Sequence, residues 1–491
     1  MNKILLINID EPHRSLYSVQ AIALLREQHP LAQITIIVSK GCEAIENNRL
    51  CNPIHFIDVE KFFQDTSNFS NDSLEKEIKR LLTPVINDYW DLIINLSFNA
   101  LGSSFVFFLR SKEIMGPHMT HDNQIIDHES FYSFLLSQSL NYQDTCYHYA
   151  WLYQNIVSPL ATPDLSEFLK SMKSTELNQR MKSIVSAENK KGVVLIDTNI
   201  GESRNLTNVH FITDLVKGFK SKGSYVPVLF SQNTEDDSFL IDRLRDSLQG
   251  EIYLLDVQQG GHLQIMSSVS CVLTSDFYVK TLADLAGTPS VLLAQGSLPV
   301  CDFSILPGSC YVRLDGYSSE LSDVISELPE KILSGEPLNN TSNVKVYQTF
   351  EHAHLPLMRP EQNCQDEDLA RWWLSIRYLS NILNAVPPDM GLNPNTYINS
   401  MQKERTQILE GFSMRLSEIK ASTNGNYTIL VSESDHGVLA LGLKFAQFNS
   451  GISGPMKAKQ ALEILHALFK GILEFLSNEE ATYSKVVAKS L

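Results

Sequence analysis

The stretch Cys271–Ala294, CVLTSDFYVKTLADLAGTPSVLLA, limits what this chain can fold into more than any other. It predicts a short apolar strand over Cys271–Leu273, a polar turn at Thr274-Ser275-Asp276, a helix, and a second apolar strand over Ser290–Ala294. Within the helix Val279, Leu282, Ala283 and Ala286 recur at i, i+3, i+4 and i+7, so one apolar face lies on a sheet. Gly287 suits the residue just past a helix, where left-handed backbone favours glycine, and Pro289 bars further helix. Such a unit aims the unpaired N–H groups of the helix start at the carboxyl edge of a parallel sheet, where a diphosphate binds readily. An ordinary βαβ unit without a ligand has the same pattern. The pattern therefore gives an α/β fold and leaves function open.

The rest of the first 340 residues repeats the theme. Lys3–Ile9 is a continuous apolar run of the kind buried on both faces of a parallel sheet. A polar loop, Asp10-Glu11-Pro12-His13-Arg14, leads into a helix striped by Leu16, Val19, Ile22, Ala23 and Leu25, stopped at His29-Pro30. Gln33–Val38, Asn52–Val59 and Trp90–Leu96 read as strands, Glu75–Leu82, Leu101–Arg110 and Ile125–Leu140 as helices, and Phe62–Asn71 as irregular. A second series starts at Gly192–Asp197 and continues through a helix at Val209–Lys222, strands at Tyr225–Phe230 and Glu251–Asp256, and a helix at Asp236–Leu248. Gly260-Gly261-His262 opens a further helix; the glycine pair shapes a turn more readily than a phosphate loop. Two doubly wound halves facing a cleft follow, with a linker near Asn178–Lys191.

Beyond about residue 340 the pattern changes. Leu355–Pro360 reads as an extended linker, and Thr428–Ser432 as a short strand. Glu367–Asn384, Met401–Lys420 and Met456–Leu476 read as helices. Trp372 and Trp373 suit either docking on the body or stacking on a sugar ring. Leu462, Leu465, Phe469, Ile472 and Leu476 form a stripe that must bury itself on the body, on a partner or on a second copy.

Charge and cysteine usage narrow the class. A net charge of −16, with no basic run, argues against a nucleic-acid partner. The seven cysteines, Cys42, Cys51, Cys146, Cys271, Cys301, Cys310 and Cys364, are scattered without a CxxC pair, which favours reduced thiols over a disulfide framework or zinc site. The opening MNKILLINIDEP lacks the apolar core of a signal peptide, and no stretch reaches the roughly 20 apolar residues of a membrane span. The expectation is a cytoplasmic protein, or one peripheral at the inner membrane.

The run Asp276-Phe-Tyr-Val-Lys-Thr-Leu-Ala-Asp-Leu-Ala-Gly-Thr-Pro289 resembles the donor-site motif D-[ST]-G-x-M-H-x-A-A-A-L-G-x-P of the heptosyltransferase-like glycosyltransferases, glycosyltransferase family 9. The two align without a gap and agree at Asp276, Ala283, Gly287 and Pro289. The family glycine is Tyr278 here and the family histidine is Thr281. A weaker likeness covers residues 3–300. The resemblance implies the GT-B architecture: a Rossmann-like acceptor-side domain over 1–180, a Rossmann-like nucleotide-sugar domain over 190–340, and here a mainly helical extension over 341–491.

It also implies an inverting glycosyltransferase moving a sugar from a nucleotide-diphosphate donor to a glycan, lipid-linked or protein acceptor, with no metal or other cofactor. In the family the donor is an ADP-heptose and the acceptor a lipopolysaccharide core. The family loop after the first strand carries a Gly-Asp whose Asp is the general base. His13-Arg14 occupies that pair here, so Asp10, Glu11 and His13 are the candidate bases, each equally explained as a solvated loop residue. Thr198, Ser203 and Arg204, with Asp276, Phe277, Tyr278, Lys280 and Thr281, are the candidate donor contacts. Arg204 would grip a phosphate or stand as a surface arginine. His128 falls where the family has a cleft histidine, although a surface helix histidine is the commoner explanation of such a residue. The missing Gly-Asp and histidine support an alternative: a catalytically degenerate GT-B binding or scaffold protein. A nucleotide-sugar epimerase of the same fold is the third reading. The last helix would serve self-association or partner docking.

Overall fold

The structure, a computed structural model, describes residues 2–45, 50–66, 70–97, 99–120, 125–126, 148–158, 165, 168, 174–200, 206–232, 237–249, 252–256, 261–295, 303–314, 319–336, 338, 344–352, 355–360, 370, 373–375, 377–378, 393–421, 426–427, 438–439, 442–443 and 456–490. The chain divides into two compact units. One comprises Met1–His128, Tyr149–Gly296 and Asp302–Glu361; the other comprises Glu129–His148, Ser297–Cys301 and Gln362–Leu491.

The first unit holds two sheets. The first half begins with β1 (Lys3–Asn8), α1 (Pro12–Ser15), α2 (Ser18–Gln28), β2 (Gln33–Ser39) and β3 (Ile54–Ile57). It continues with α3 (Val59–Thr66), α4 (Asn71–Leu81), β4 (Tyr89–Asn95), α5 (Ala100–Phe107) and β5 (Arg110–Met115), then a two-residue ladder of β6 (His118–Met119) and β7 (Ile125–Ile126). Its five strands lie in the order β3-β2-β1-β4-β5, all parallel. Leu5, Ile7, Ile37, Ile93, Phe105 and Trp90 fill one side of it. Three sequence expectations fail here. Phe62–Asn71 is not irregular at its start: the Asp58 carboxylate accepts from Lys61 N at 3.0 Å, and Phe62 is buried, so α3 forms on a cap and one apolar anchor. The second is at 110: the segment beyond α5 is an edge strand, β5, where charged side chains face solvent. The third is at Ile125–Ile126, expected to open a helix over Ile125–Leu140: its backbone pairs with β6 as the strand β7, and 127–140 lie outside the described residues.

The helices α6 (Tyr149–Val157) and α7 (Thr175–Ala187) join the halves. The second half runs β8 (Gly192–Asp197), α8 (Leu206–Lys222), β9 (Tyr225–Ser231), α9 (Ser238–Ser247), β10 (Tyr253–Asp256), α10 (His262–Met266), β11 (Cys271–Thr274), α11 (Phe277–Ala286) and β12 (Ser290–Gln295). It closes with β13 (Cys310–Leu314), α12 (Ser319–Ser334), β14 (Val344–His352) and β15 (Leu355–Pro360). The order is β10-β9-β8-β11-β12-β13-β14-β15, parallel through β13 and antiparallel beyond. Leu355–Pro360, expected as a linker, is therefore the edge strand of this sheet. Its prolines are tolerated because an edge strand leaves half its N–H groups unpaired. In both halves the order reverses beside the first strand, between β1 and β4 and again between β8 and β11. That reversal opens a crevice at the carboxyl edge of each sheet.

The central unit forms as its residues dictate. Asp276 caps α11 by accepting from Tyr278 N at 2.6 Å, and Gly287 ends it at φ 70°. Val279, Leu282 and Ala283 are buried against the sheet.

In the second unit α13 (Pro394–Ala421) and α14 (Ala458–Ser490) pack lengthwise, and β16 (Asn426–Tyr427) pairs antiparallel with β17 (Met456–Lys457). Leu465, Phe469, Ile472 and Leu476 of the expected stripe are buried, while Leu462 stays 40% exposed. Phe412 and Phe469 meet at 4.5 Å, Arg377 pairs with Glu479, and Arg405 with Glu480 at 3.1 Å. Trp373 is buried; Trp372, most of Glu367–Asn384 and all of Thr428–Ser432 lie outside the described residues. Among the described residues no helix is long and apolar enough to cross a membrane.

Candidate functional site

The crevice of the first half is built by the loop after β1. Ile9 N donates to Ser97 Oγ at 3.0 Å, Ser15 Oγ donates to Asp10 O at 3.0 Å, and Ser39 Oγ donates to the same carbonyl. These bonds fix the backbone of a loop that carries no glycine. The half-buried Asp10 carboxylate is then gripped at both oxygens: Asn99 Nδ2 donates to Oδ1 at 2.8 Å and Tyr153 OH to Oδ2 at 3.2 Å. Glu11 stands apart, its side chain 56% exposed, 3.6 Å from His13 Nε2 and 3.4 Å from Arg14 Nη1. Arg14 is buried with its guanidinium 4.5 Å from the Tyr149 ring.

His13 is the point where the halves meet. Its ring stacks on Phe277 of α11 at 5.7 Å, and α1 packs directly on α11. Beside Phe277, Tyr278 lies edge-on to His262 at 5.7 Å, and His262 edge-on to Phe230 at 6.4 Å. Burial lowers the His262 pKa, so its ring is neutral at pH 7. Burial raises the Tyr278 pKa, reinforced by Cys42, Glu43 and Asp276, so the phenol keeps its proton. The mouth between the halves thus combines an oriented carboxylate from the first half with an aromatic and imidazole wall from the second.

Behind that wall the second half turns its polar groups inward. Lys280 is fully buried; its Nζ donates to Tyr17 OH at 2.9 Å and to Phe303 O at 3.1 Å, and lies 3.7 Å from Asp284 Oδ2. Tyr17 OH donates to Asp284 Oδ2 at 2.6 Å, Ser304 Oγ donates to Oδ1, and Thr281 Oγ1 reaches Tyr17 OH at 3.4 Å. The cluster ties α2's approach in the first half to α11 in the second.

The start of α11 is also engaged. Asp276 accepts from Tyr278 N with one oxygen and from Gln232 Nε2 at 2.9 Å with the other. A carboxylate therefore already sits on the positive end of the helix dipole. Asp197, buried at the end of β8, accepts from Thr274 Oγ1 at 2.7 Å, and burial pushes its pKa up to about 7. Thr198 Oγ1 donates to Phe230 O at 3.0 Å and to Asp237 Oδ2 at 3.2 Å.

No family model matches the chain, and no curated protein matches its sequence. Solved structures do resemble its fold. The family 9 glycosyl transferase of Veillonella parvula DSM 2008 is 13% identical over 68% of this chain and 98% of that one, with a TM-score of 0.47. The E. coli heptosyltransferase WaaC with ADP is 9% identical over 67% and 99%, with a TM-score of 0.48. The UDP-GlcNAc 2-epimerase from Neisseria meningitidis bound to UDP-GlcNAc is 12% identical over 69% and 95%, with a TM-score of 0.40. At such identities and scores the likeness carries no reaction across. The GT-B reading of the fold rests on the two parallel sheets and their reversals.

Set against the sequence expectations, the structure brings Asp10, His13, Asp276, Phe277 and Tyr278 to one region of the first unit. Three expected donor contacts are placed otherwise. Lys280 and Thr281 face the buried cluster with Tyr17, because the polar side of α11 is covered by the first half rather than by solvent. The Thr198 hydroxyl is buried against Asp237. Ser203, Arg204 and His128 lie outside the described residues. Sequence reasoning missed Asn99, Tyr17 and Tyr153. Asn99 had a local signal, an Asn directly before a helix, and it does cap α5 by accepting from Gly102 N at 2.9 Å. Tyr17 and Tyr153 act across 267 and 143 residues of chain, which no local pattern encodes.

Proposed function

We infer that this chain is a glycosyltransferase that moves a sugar from a nucleotide-diphosphate donor to an acceptor hydroxyl with inversion. The observation that carries the reading is the Asp10 carboxylate, held at both oxygens at the crevice of the first half, beside the aromatic wall of the second. A general base must be oriented and partly open to its substrate, and of the three candidates Asp10 meets both conditions. Glu11 is exposed and paired with Arg14, and His13 is stacked on Phe277.

In this mechanism Asp10 accepts the acceptor's hydroxyl proton as that oxygen attacks the anomeric carbon. The bond from that carbon to the diphosphate breaks on the opposite side, and the diphosphate leaves with the electron pair. Phe277 and Tyr278 offer flat apolar faces to the sugar or base, with the neutral His262 ring behind Tyr278. Ser203 and Arg204 remain the proposed phosphate contacts, and the reaction is proposed to need no metal.

Two observations favour the second reading, a catalytically degenerate GT-B binding or scaffold protein. The buried Tyr17–Lys280–Asp284 cluster joins the halves, and Asp276 occupies the helix start that a diphosphate would use. A thermal-shift screen against nucleotides and nucleotide sugars separates donor binding from its absence. A ligand at a hundred times its Kd stabilises by about 2.7 kcal/mol. A shift with one nucleoside diphosphate and its sugar supports the transferase. A protein that no nucleotide stabilises is not one.

A further inference from the structure

The geometry points to Tyr153 as a positioning residue for the Asp10 base, acting with Asn99 as a two-sided clamp that fixes the carboxylate's orientation. This deepens the transferase reading and rests on it.

The clamp is built from three separate elements, which is why it reads as a device rather than a chance contact. Asp10 follows β1; Asn99 follows β4; Tyr153 comes from α6, in the segment joining the halves. One carboxylate oxygen accepts from Asn99 at 2.8 Å and the other from Tyr153 at 3.2 Å. The Asn99 amide cannot turn over to present its oxygen to Asp10. That oxygen already accepts from Gly102 N at 2.9 Å, while Nδ2 also donates to Ile9 O at 3.1 Å. Tyr153 is fully buried, and burial with the nearby Asp10 charge raises its pKa well above the usual value, so the hydroxyl stays protonated.

Two donors to a carboxylate favour its ionised form and stop it from rotating. A base so held points in one direction. Among the described residues, Glu11, His13 and Arg14 of its own loop are further charged or titratable groups near it. Arg14 acts on Tyr153 electrostatically and packs on Tyr149.

The test follows the carboxylate itself. The 13C carboxyl resonance of Asp10, assigned by its loss in Asp10→Asn, is titrated in the wild type, in Tyr153→Phe and in Tyr149→Phe. Tyr149→Phe removes a hydroxyl one helical turn away and serves as the control. The pH profile of kcat/KM is measured on the same proteins. Tyr153→Phe is expected to raise the Asp10 titration by about one pH unit and to move the acidic limb of the profile with it. KM for the donor stays at the wild-type value, and kcat falls about tenfold. Should Tyr153→Phe fold poorly, Asn99→Ser, which keeps a capping hydroxyl, gives the same upward shift. An Asp10 titration unchanged in both variants, or moved equally by Tyr149→Phe, overturns the clamp. A shifted titration in a protein that turns over no nucleotide sugar upholds the clamp as structure and sinks the base role together with the transferase reading.

Discussion

The loop after β1 and the loop after β11 are the same device, a strand leading through a polar turn into a helix at a sheet reversal, and they handle charge in opposite ways. The first leaves Asp10 half-buried with a donor on each oxygen. The second draws its charges away from the mouth: Asp276 is turned onto its own helix, and Lys280 and Asp284 are sealed against Tyr17. One loop therefore holds a half-buried carboxylate at a sheet reversal, and the other holds the two halves together. An identical local architecture does not dictate an identical use. What decides is whether the opposing half covers the polar side of the helix.

The strongest way to break this contrast is to remove the sealed cation. Lys280→Met leaves Asp284 buried without its charge partner and should cost about 3–5 kcal/mol, read from urea unfolding midpoints. Asp284→Asn in the same background should recover part of the loss. If Lys280→Met is as stable as the wild type, the cluster does not join the halves as described.

Much of this organisation was legible in the chain. The apolar runs that became β1, β8 and β11 are buried on both faces and could be little else. Asp276 and Gly287 marked the ends of α11 correctly, because a cap and a left-handed stop are local requirements. Lys280 was not legible. On a helical wheel it belongs to the polar side opposite Val279 and Leu282, and a polar side normally faces water. Here Tyr17 and Phe303 cover it, a fact carried by residues distant in sequence. The hairpin β14–β15 was hidden for a related reason: its two prolines read as a linker until the neighbouring strand supplies the pairing. In the site, the loop was legible and the choice of Asp10 over Glu11 and His13 was not, since Asn99 and Tyr153 make it.

The next largest effect is on the open loop. Asp10→Asn should lower transfer by about 10²–10⁴ with little change in folding stability, whereas Glu11→Gln retains transfer. Measuring kcat for the pair tells the held carboxylate from the exposed one. Equal losses in both would make the loop's charge, not Asp10's orientation, the relevant property.

A third effect sharpens the account of the second half's crevice through pH. Burial raises the Asp197 pKa from 3.8 to about 7, so the folded state binds a proton that the unfolded state has released. The stability from this group is present below the unfolded pKa near 3.8 and is lost as pH rises toward about 7. Unfolding midpoints between pH 4.5 and 7.5, chosen as about one step inside and outside that window, should therefore fall less in Asp197→Asn than in the wild type.

The smallest effect concerns how the first loop is backed. A Cβ at Gly102 would lie 2.4 Å from Ser97 Cβ and 2.6 Å from its Oγ, the atom that anchors Ile9 N. Gly102→Ala should cost about 1–3 kcal/mol by overpacking and shift the Asp10 loop, lowering kcat more than it raises KM for the donor. An alanine accepted without loss would mean that Ser97 moves freely and does not brace the loop.

The central claim is that a clamped Asp10 serves a donor held across the mouth. The most direct measurement is release of nucleoside diphosphate from a saturating nucleotide sugar in the presence of acceptor, by the wild type and by Asp10→Asn, with donor affinity determined for both. The account predicts equal affinity and release at least about 100-fold slower in Asp10→Asn. Equal release by the two proteins, or no donor bound by either, would contradict it.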